Sequence, residues 1–599
     1  MRRAKFITNF RTLDKHQFQH LQNRMKNLRD LVIPRKELRC WEDSLAWARD
    51  GTLYITTIPE VTICQSLFKR QVNMQAKSLF HVKEYPMKVE NKFEFLSTDR
   101  NVLINSQPEP GVVSCIPSPT NGYILVLTNN ANVILFEGQT CISQIDEEMR
   151  GFNERSYRSM CWGPDGKRLA IGNENSELII FTIDGIDTSS PKVVHERTIQ
   201  LTDNQDEWVI GICWDRYTIV AYTTTSSIFT ISTTNYKPQM ILNESVHHIS
   251  DVRIMENNVL VTRVGSFHRI DISSGRCDNL ALGPYGDFYI VPIPNQKTIV
   301  LLSNKTSCKV QLQGALKLEN DDIISPFVEA KLKRWNTVFN EFKKYETAFS
   351  IYGISTSPDG YSLAILYDIE RVSFKYRILS ELQYRIMFIP LADVWRITSA
   401  SSGLAWYQNY HIYNSEVPEN IEETGDILFD NSLDFISFLQ QLRSSKEVNC
   451  LRFKNLITET PSDEWYKSIL FSYAVKNLDR IVNPLDKACV VSLAKILKQD
   501  IGISDSKVEM KGEFISENFD FHKNNHPETV QSEDGNVWRR CAITYLPLLT
   551  TKVKFCPVSG QRIIDIHRDP FNDYGWFTKT LLEVFNDESI YTGTKMVTI

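Results

Sequence analysis

One pattern runs through the first two-thirds of this 599-residue chain. An apolar strand, a turn, a second apolar strand, a polar turn and a third strand recur in that order. The clearest copy is RSMCWGPDGKRLAIGNENSELIIF from Arg158 to Phe181. Its Pro164, Asp165 and Gly166 supply turn chemistry, and Asn173 to Ser176 supply the next turn. Other copies begin at Ser44, Val112, Trp208, Ile249, Phe288 and Ser350, which completes a set of seven. Starts fall roughly 40–70 residues apart. β-Branched and aromatic residues fill the strands, and turns separate them at hairpin spacing. A single such unit cannot cover both faces of its own sheet. Packing units radially covers those faces and leaves only short edges.

The expected fold is mainly β: a seven-bladed, WD-repeat-like β-propeller over residues 36–398, followed by a C-terminal α+β domain. An array of β-sandwiches is the alternative. The only WD dipeptide, Trp214–Asp215, falls at the end of a first strand and not of a third, so blade signatures do not carry the reading. A helical insertion is expected near 325–346, where Val328, Leu332, Trp335, Val338, Phe339, Phe342 and Tyr345 recur at spacings of three and four. Such a stripe either packs on its own domain or presents Trp335 and Phe339 to a partner.

Residues 399–430 read as a linker, polar and acidic from Asn414 to Asp430. Just before that acidic stretch, Trp406, Tyr407 and Tyr410 form an aromatic group that serves as core or as a binding surface. The domain at 431–599 is expected to open with a helix capped by Ser432, followed by one after Ser462 and a third starting at Asn483–Pro484. An irregular stretch at 505–534 is expected next, then strands at Ala542–Leu546 and Lys552–Cys556, the segment RIIDI at 562–566, and a helix after Asp573. At the other end, residues 1–35 form a basic extension, partly disordered. Arg2, Arg3, Lys5, Arg11, Lys15, Arg24, Lys26, Arg29 and Arg35 belong to it. It is read as a solvated tail or a nucleic-acid arm.

Overall charge restricts function. The formal net charge is −5, so DNA is met locally or through a partner and not by general attraction. Twelve cysteines occur with no C-x-x-C, which suits the reduced thiols of the cytosol or nucleus. No apolar run reaches the roughly 18–20 residues of a membrane helix, and no membrane contact is expected. The chain has no phosphate-binding loop, no G-x-G-x-x-G, no H-E-x-x-H and no G-x-S-x-G. It is therefore read as non-enzymatic, with no cofactor and no small-molecule substrate. His247 and His248 are placed on a strand, where adjacent side chains face opposite ways and make poor joint ligands. Cys541 and Cys556 are the one pair worth a metal argument. Ser559 stands where a second knuckle cysteine would fall, and its oxygen stays protonated, so two buried thiols are the preferred reading.

Several stretches are more distinctive than any generic repeat. KLKRWNTVFNEFKKYETAFSIYGISTSPDGYSLAILYDIERVSFKYRI begins at Lys331, GLAWYQNYHIYN at Gly403, and WRRCAITYLPLLTTKVKFCPVSGQRIIDIHRDPFNDYGWFT at Trp538. With ARDGTLYITTIPE at Ala48 and SLFHVKEYPMKVENKFEF at Ser78, they resemble the family of the 60-kilodalton tau subunit of yeast transcription factor IIIC. The resemblance runs from about Met25 onward and leaves residues 1–24 outside, which makes Met25 a candidate start.

The resemblance implies a nuclear subunit of the factor that recruits RNA polymerase III to tRNA-type genes. It implies a propeller and a separate C-terminal domain that act as a protein–protein scaffold. Its partners would be a second propeller subunit, other subunits of the complex and the TATA-binding protein, with promoter DNA met mainly through the complex. Relatives in the family carry a zinc-finger-like pattern, C-x-x-G-H…R-C…C-x-x-C. On this sequence Ser532 and Asn536 replace a cysteine and the histidine, Ser559 replaces the last cysteine, and Cys541 and Cys556 remain. A relic without metal is the expectation. The alternatives are a direct DNA reader using the basic N-terminal arm and an acetyltransferase-type enzyme, although no acetyl-coenzyme A loop is present.

Overall fold

A computed structural model describes most of 112–391 and 464–598, together with 31–32, 44–48, 51–56, 61–66, 80–85, 433–445, 448 and 451–452. The described residues fall into two compact units, divided after Asp393.

The first unit is a seven-bladed propeller, and each of the seven repeat copies is one blade. Six blades are four-stranded antiparallel sheets in simple sequential order, at 45–85, 112–145, 157–200, 209–242, 249–281 and 289–319. Middle strands are buried because neighbouring blades cover both their faces. Tyr123–Thr128 is buried throughout, and so is Thr298–Leu302. Outermost strands are exposed, as in Lys192–Gln200 and Pro238–Leu242. The repeat reading found three strands per unit and missed this fourth one, whose polar residues lie at the sheet edge with no buried face to impose alternation.

The seventh blade closes the ring. Its strands Thr347–Thr356, Ser362–Arg371 and Arg385–Pro390 come from one stretch, but its outer strand is Leu31–Val32. Leu31 pairs with Ile386 and Val32 with Arg385. Those two residues lie inside the span read as a basic extension, so that stretch contributes a strand to the fold. A second tie joins the first and last blades. The Trp47 amide donates to Ser355 Oγ at 3.0 Å, and the Trp47 and Phe388 rings meet edge-on at 5.6 Å.

Inner strands share a device that no residue type marks. Five of them shift register by a bulge, between Val112/Ser114, Tyr157/Ser159, Val209/Gly211, Ile249/Asp251 and Ile351/Gly353. A bulge bends and twists its strand, and here it turns the following residue toward its surroundings. Ser159 Oγ donates to the Val209 carbonyl of the next blade at 2.8 Å, and Asp251 Oδ2 accepts from the Ile290 amide of the next blade at 2.9 Å. At Gly211 a Cβ would lie 1.9 Å from the Tyr222 ring, so any side chain there would have to displace that ring.

The WD dipeptide ends the first strand of its blade, Val209–Asp215. His247 and His248 lie in the loop before Ile249–Met255 and not on a strand, because the chain is still turning there; His248 Nε2 meets Asp287 Oδ1 at 2.7 Å. The insertion helix, α1, spans Ser325–Phe339. Its Val328, Leu332 and Trp335 pack on the cluster formed by Ile324, Phe327, Ile351 and Leu363.

The second unit wraps helices α2 (Phe435–Ser444), α3 (Glu464–Lys476), α4 (Pro484–Ile496) and α5 (Trp576–Val584) around small sheets. Aromatic stacking holds its helical side: Phe435 lies 4.8 Å from Phe577, and Phe438 lies 4.3 Å from Tyr473. Three local expectations are corrected. Asp434, not Ser432, caps α2, its carboxylate accepting from the Ser437 amide at 3.1 Å. The stretch read as irregular at 505–534 carries strands among its described residues, with Lys507–Lys511 paired to Ser516–Asp520 and a further strand at Thr529–Gln531. Ala542–Leu546 is a turn and not a strand, because the Cys541 amide donates to the Leu546 carbonyl and closes the backbone on itself. Asn483 caps α4 as expected, with Pro484 at the first position.

Candidate functional site

Several buried polar side chains of the second unit lie in the chain between α4 and the C-terminus. Asp486, in the first turn of α4, is 1% exposed. Its carboxylate reaches across to α5 and accepts from the Phe577 amide at 3.0 Å, the Thr578 amide at 2.8 Å and Thr578 Oγ1 at 2.7 Å. Free amides at a helix start favour an anion, and this carboxylate supplies it. A Cβ on Gly575 would sit 2.3 Å from Asp486 Oδ2, so glycine lets the carboxylate in.

Arg540 is buried, yet its hydrogen bonds run to neutral groups. Nε donates to the carbonyls of His526 and Thr529, and Nη1 donates to Ser492 Oγ and the Tyr545 carbonyl. Burial pulls its pKa down to about 10, with Cys489 and Tyr545 opposing the shift. The guanidinium stays protonated at neutral pH and ties four separate segments together.

Ser532 and Asn536, two of the positions matched to metal ligands, serve a carboxylate instead. Glu517 is 2% exposed. It accepts from Asn536 Nδ2 at 2.7 Å and from Trp538 Nε1 at 2.7 Å, and Ser532 Oγ accepts from the Asn536 amide at 3.2 Å. Burial raises the Glu517 pKa, but the bonds from Ser532, Trp538 and Asn536 together outweigh it and hold the group below its ordinary value.

Cys541 and Cys556 are both fully buried and each opens a tight turn. In the first, the Cys541 amide donates to the Leu546 carbonyl at 2.7 Å and the Tyr545 amide to the Cys541 carbonyl at 2.9 Å. In the second, the Cys556 amide donates to the Gln561 carbonyl at 2.8 Å and the Gly560 amide to the Cys556 carbonyl at 2.7 Å. Tyr545 and Gly560 occupy the same place and both take positive φ, 58° and 74°. The Ser559 amide also donates to Cys556 Sγ at 3.4 Å. A bond from the Ala542 amide to the Arg562 carbonyl, 2.9 Å, joins the two turns.

These residues do not make a zinc site as they stand. Two thiols with hydroxyls and an amide fall short of the three or four Cys, His or carboxylate donors that a structural zinc takes. Among the described residues, no three His, Cys, Asp or Glu side chains are grouped to hold a metal. Of the surface aromatics singled out in the sequence, Trp335 is half-buried against its own blade. The Phe339 side chain, Trp406, Tyr407 and Tyr410 lie outside the described residues, and so do residues 1–30. Sequence reading missed Glu517 and Asp486 because a buried carboxylate looks like any surface one until its donors are placed. It also missed Thr544, three residues after Cys541 as Ser559 is three after Cys556; that equal spacing was visible.

Comparison with known proteins gives a consistent placement. Residues 486–596 match the family described as "Putative zinc-finger of transcription factor IIIC complex". Over 586 residues the chain is 42% identical to the "Transcription factor tau 60 kDa subunit" of Saccharomyces cerevisiae, covering 96% of this chain and 100% of that protein. A chain of the solved "Crystal Structure of Mitotic Checkpoint Complex" is 13% identical with a TM-score of 0.39, covering 61% of this chain and 91% of that one, a likeness too slight to bear on function.

Proposed function

Because the chain belongs to the family of the transcription factor tau 60 kDa subunit, a subunit of transcription factor IIIC, we propose that it works there as a non-enzymatic protein–protein scaffold. In this reading the propeller pairs with a second propeller subunit, and the assembly links promoter-bound factor to the TATA-binding protein in the nucleus. The observation that carries it is full-length likeness to a subunit of a multiprotein factor, joined to a fold that offers broad surfaces. Buried polar groups of the second unit, Asp486, Arg540 and Glu517, are spent on holding its own segments together. A net charge of −5 favours protein partners over the DNA backbone.

Co-expression with the second propeller subunit tests the pairing. The two should elute as one species in size-exclusion chromatography at high salt. Separate elution of two folded proteins would remove the pairing from the account.

A further inference from the structure

The two cysteine turns repeat one geometry down to single hydrogen bonds. In each, the amide of the cysteine donates to the carbonyl five residues on, its carbonyl accepts from the amide four residues on, and that fourth residue is left-handed. In each, a hydroxyl residue stands three positions after the cysteine, Thr544 in one and Ser559 in the other. Two matched turns, each with ligands at the first and fourth positions, are how a small domain encloses a tetrahedral zinc ion.

Thr544 supplies the independent observation. Its side chain is fully buried, and Oγ1 has no hydrogen-bond partner among the described residues. A buried hydroxyl ordinarily finds a partner, so an orphan one calls for an explanation. A place among former metal ligands would account for it. Asn536 Nδ2 is committed to Glu517, and Ser532 Oγ accepts from the Asn536 amide.

We propose that Cys541, Thr544, Cys556 and Ser559 are the four corners of a former zinc cage, which this chain keeps folded without metal. Protein groups now pin the turns. Tyr591 Oη donates to the Ala542 carbonyl at 2.7 Å, Tyr466 Oη to the Ile543 carbonyl at 3.3 Å, and Arg540 Nη1 to the Tyr545 carbonyl at 2.6 Å. Thr592 Oγ1 lies 3.3 Å from Cys556 Sγ. Two thiols, bound as thiolates, with two hydroxyls that stay protonated hold zinc weakly, whereas four thiols bind it as thiolates and release their four protons to solvent. The inference is independent of the scaffold reading, since it concerns metal content alone.

The test uses the full chain with Thr544→Cys and Ser559→Cys together, followed by cobalt(II) titration and metal analysis after purification in zinc. The double variant should take up one metal per chain, with the visible absorption of tetrahedral cobalt–thiolate, while the natural chain takes up well under one. Ser532→Cys with Asn536→His, made as a control, should bind no better than the natural chain. If the double variant does not fold, Ser559→Cys alone should still raise cobalt affinity tenfold or more. Stoichiometric zinc in the natural chain would overturn the proposal. So would uptake by the control pair, or no gain in metal affinity in any folded variant carrying Ser559→Cys.

Discussion

Asp486 and Glu517 are two buried carboxylates used in different ways. Asp486 replaces solvent at the start of α5, where three donors point at it. Asp486→Ala strands those donors in a dry interior, which costs about 1–3 kcal/mol per unsatisfied group in typical proteins. We expect the urea midpoint of the C-terminal unit to fall clearly, with the propeller transition unmoved; an unchanged midpoint would refute the capping role. Glu517 carries a pH signature. Its folded pKa lies below the unfolded value, so its contribution is complete above the ordinary carboxylate range and is lost as pH falls through the depressed value. Natural chain and Glu517→Gln should therefore differ in stability at pH 7 and converge only as pH falls below the ordinary carboxylate range and through that depressed value. A gap that persists at low pH would contradict this.

Elements reveal what the sequence could and could not say. Blades were legible because their middle strands are covered on both faces and read as unbroken apolar runs, as in Tyr123–Thr128. Outer strands were not, since an exposed edge imposes no pattern. The hairpin at 507–520 was hidden for a related reason: each strand turns only two side chains inward, and one of the four is Glu517. Ala542–Leu546 misled in the opposite sense, because β-favouring residues were folded into a turn by two backbone bonds and a left-handed Tyr545. The strand at Leu31–Val32 yields a direct check. Removing residues 1–30 should leave the thermal transition of the propeller in place. Removing 1–36 takes away the closing strand and should lower that transition by about 2–4 °C or more. Equal behaviour of the two truncations would show that the strand does not matter. It follows that a DNA-arm test must stop before Leu31, or loss of fold will pass for loss of binding.

At the scale of the whole molecule, the propeller supplies surface and the C-terminal unit supplies a second packed body with its own core. Neither unit gathers metal-binding side chains among its described residues. On the scaffold reading proposed above, what the chain does rests on which proteins it holds. The most direct measurement is affinity purification of the tagged full-length chain from nuclear extract, with nuclease treatment and rising salt. The scaffold account predicts that other transcription factor IIIC subunits stay bound in fixed proportion through both treatments. Recovery of the chain alone, or loss of every partner once DNA is digested, would contradict it.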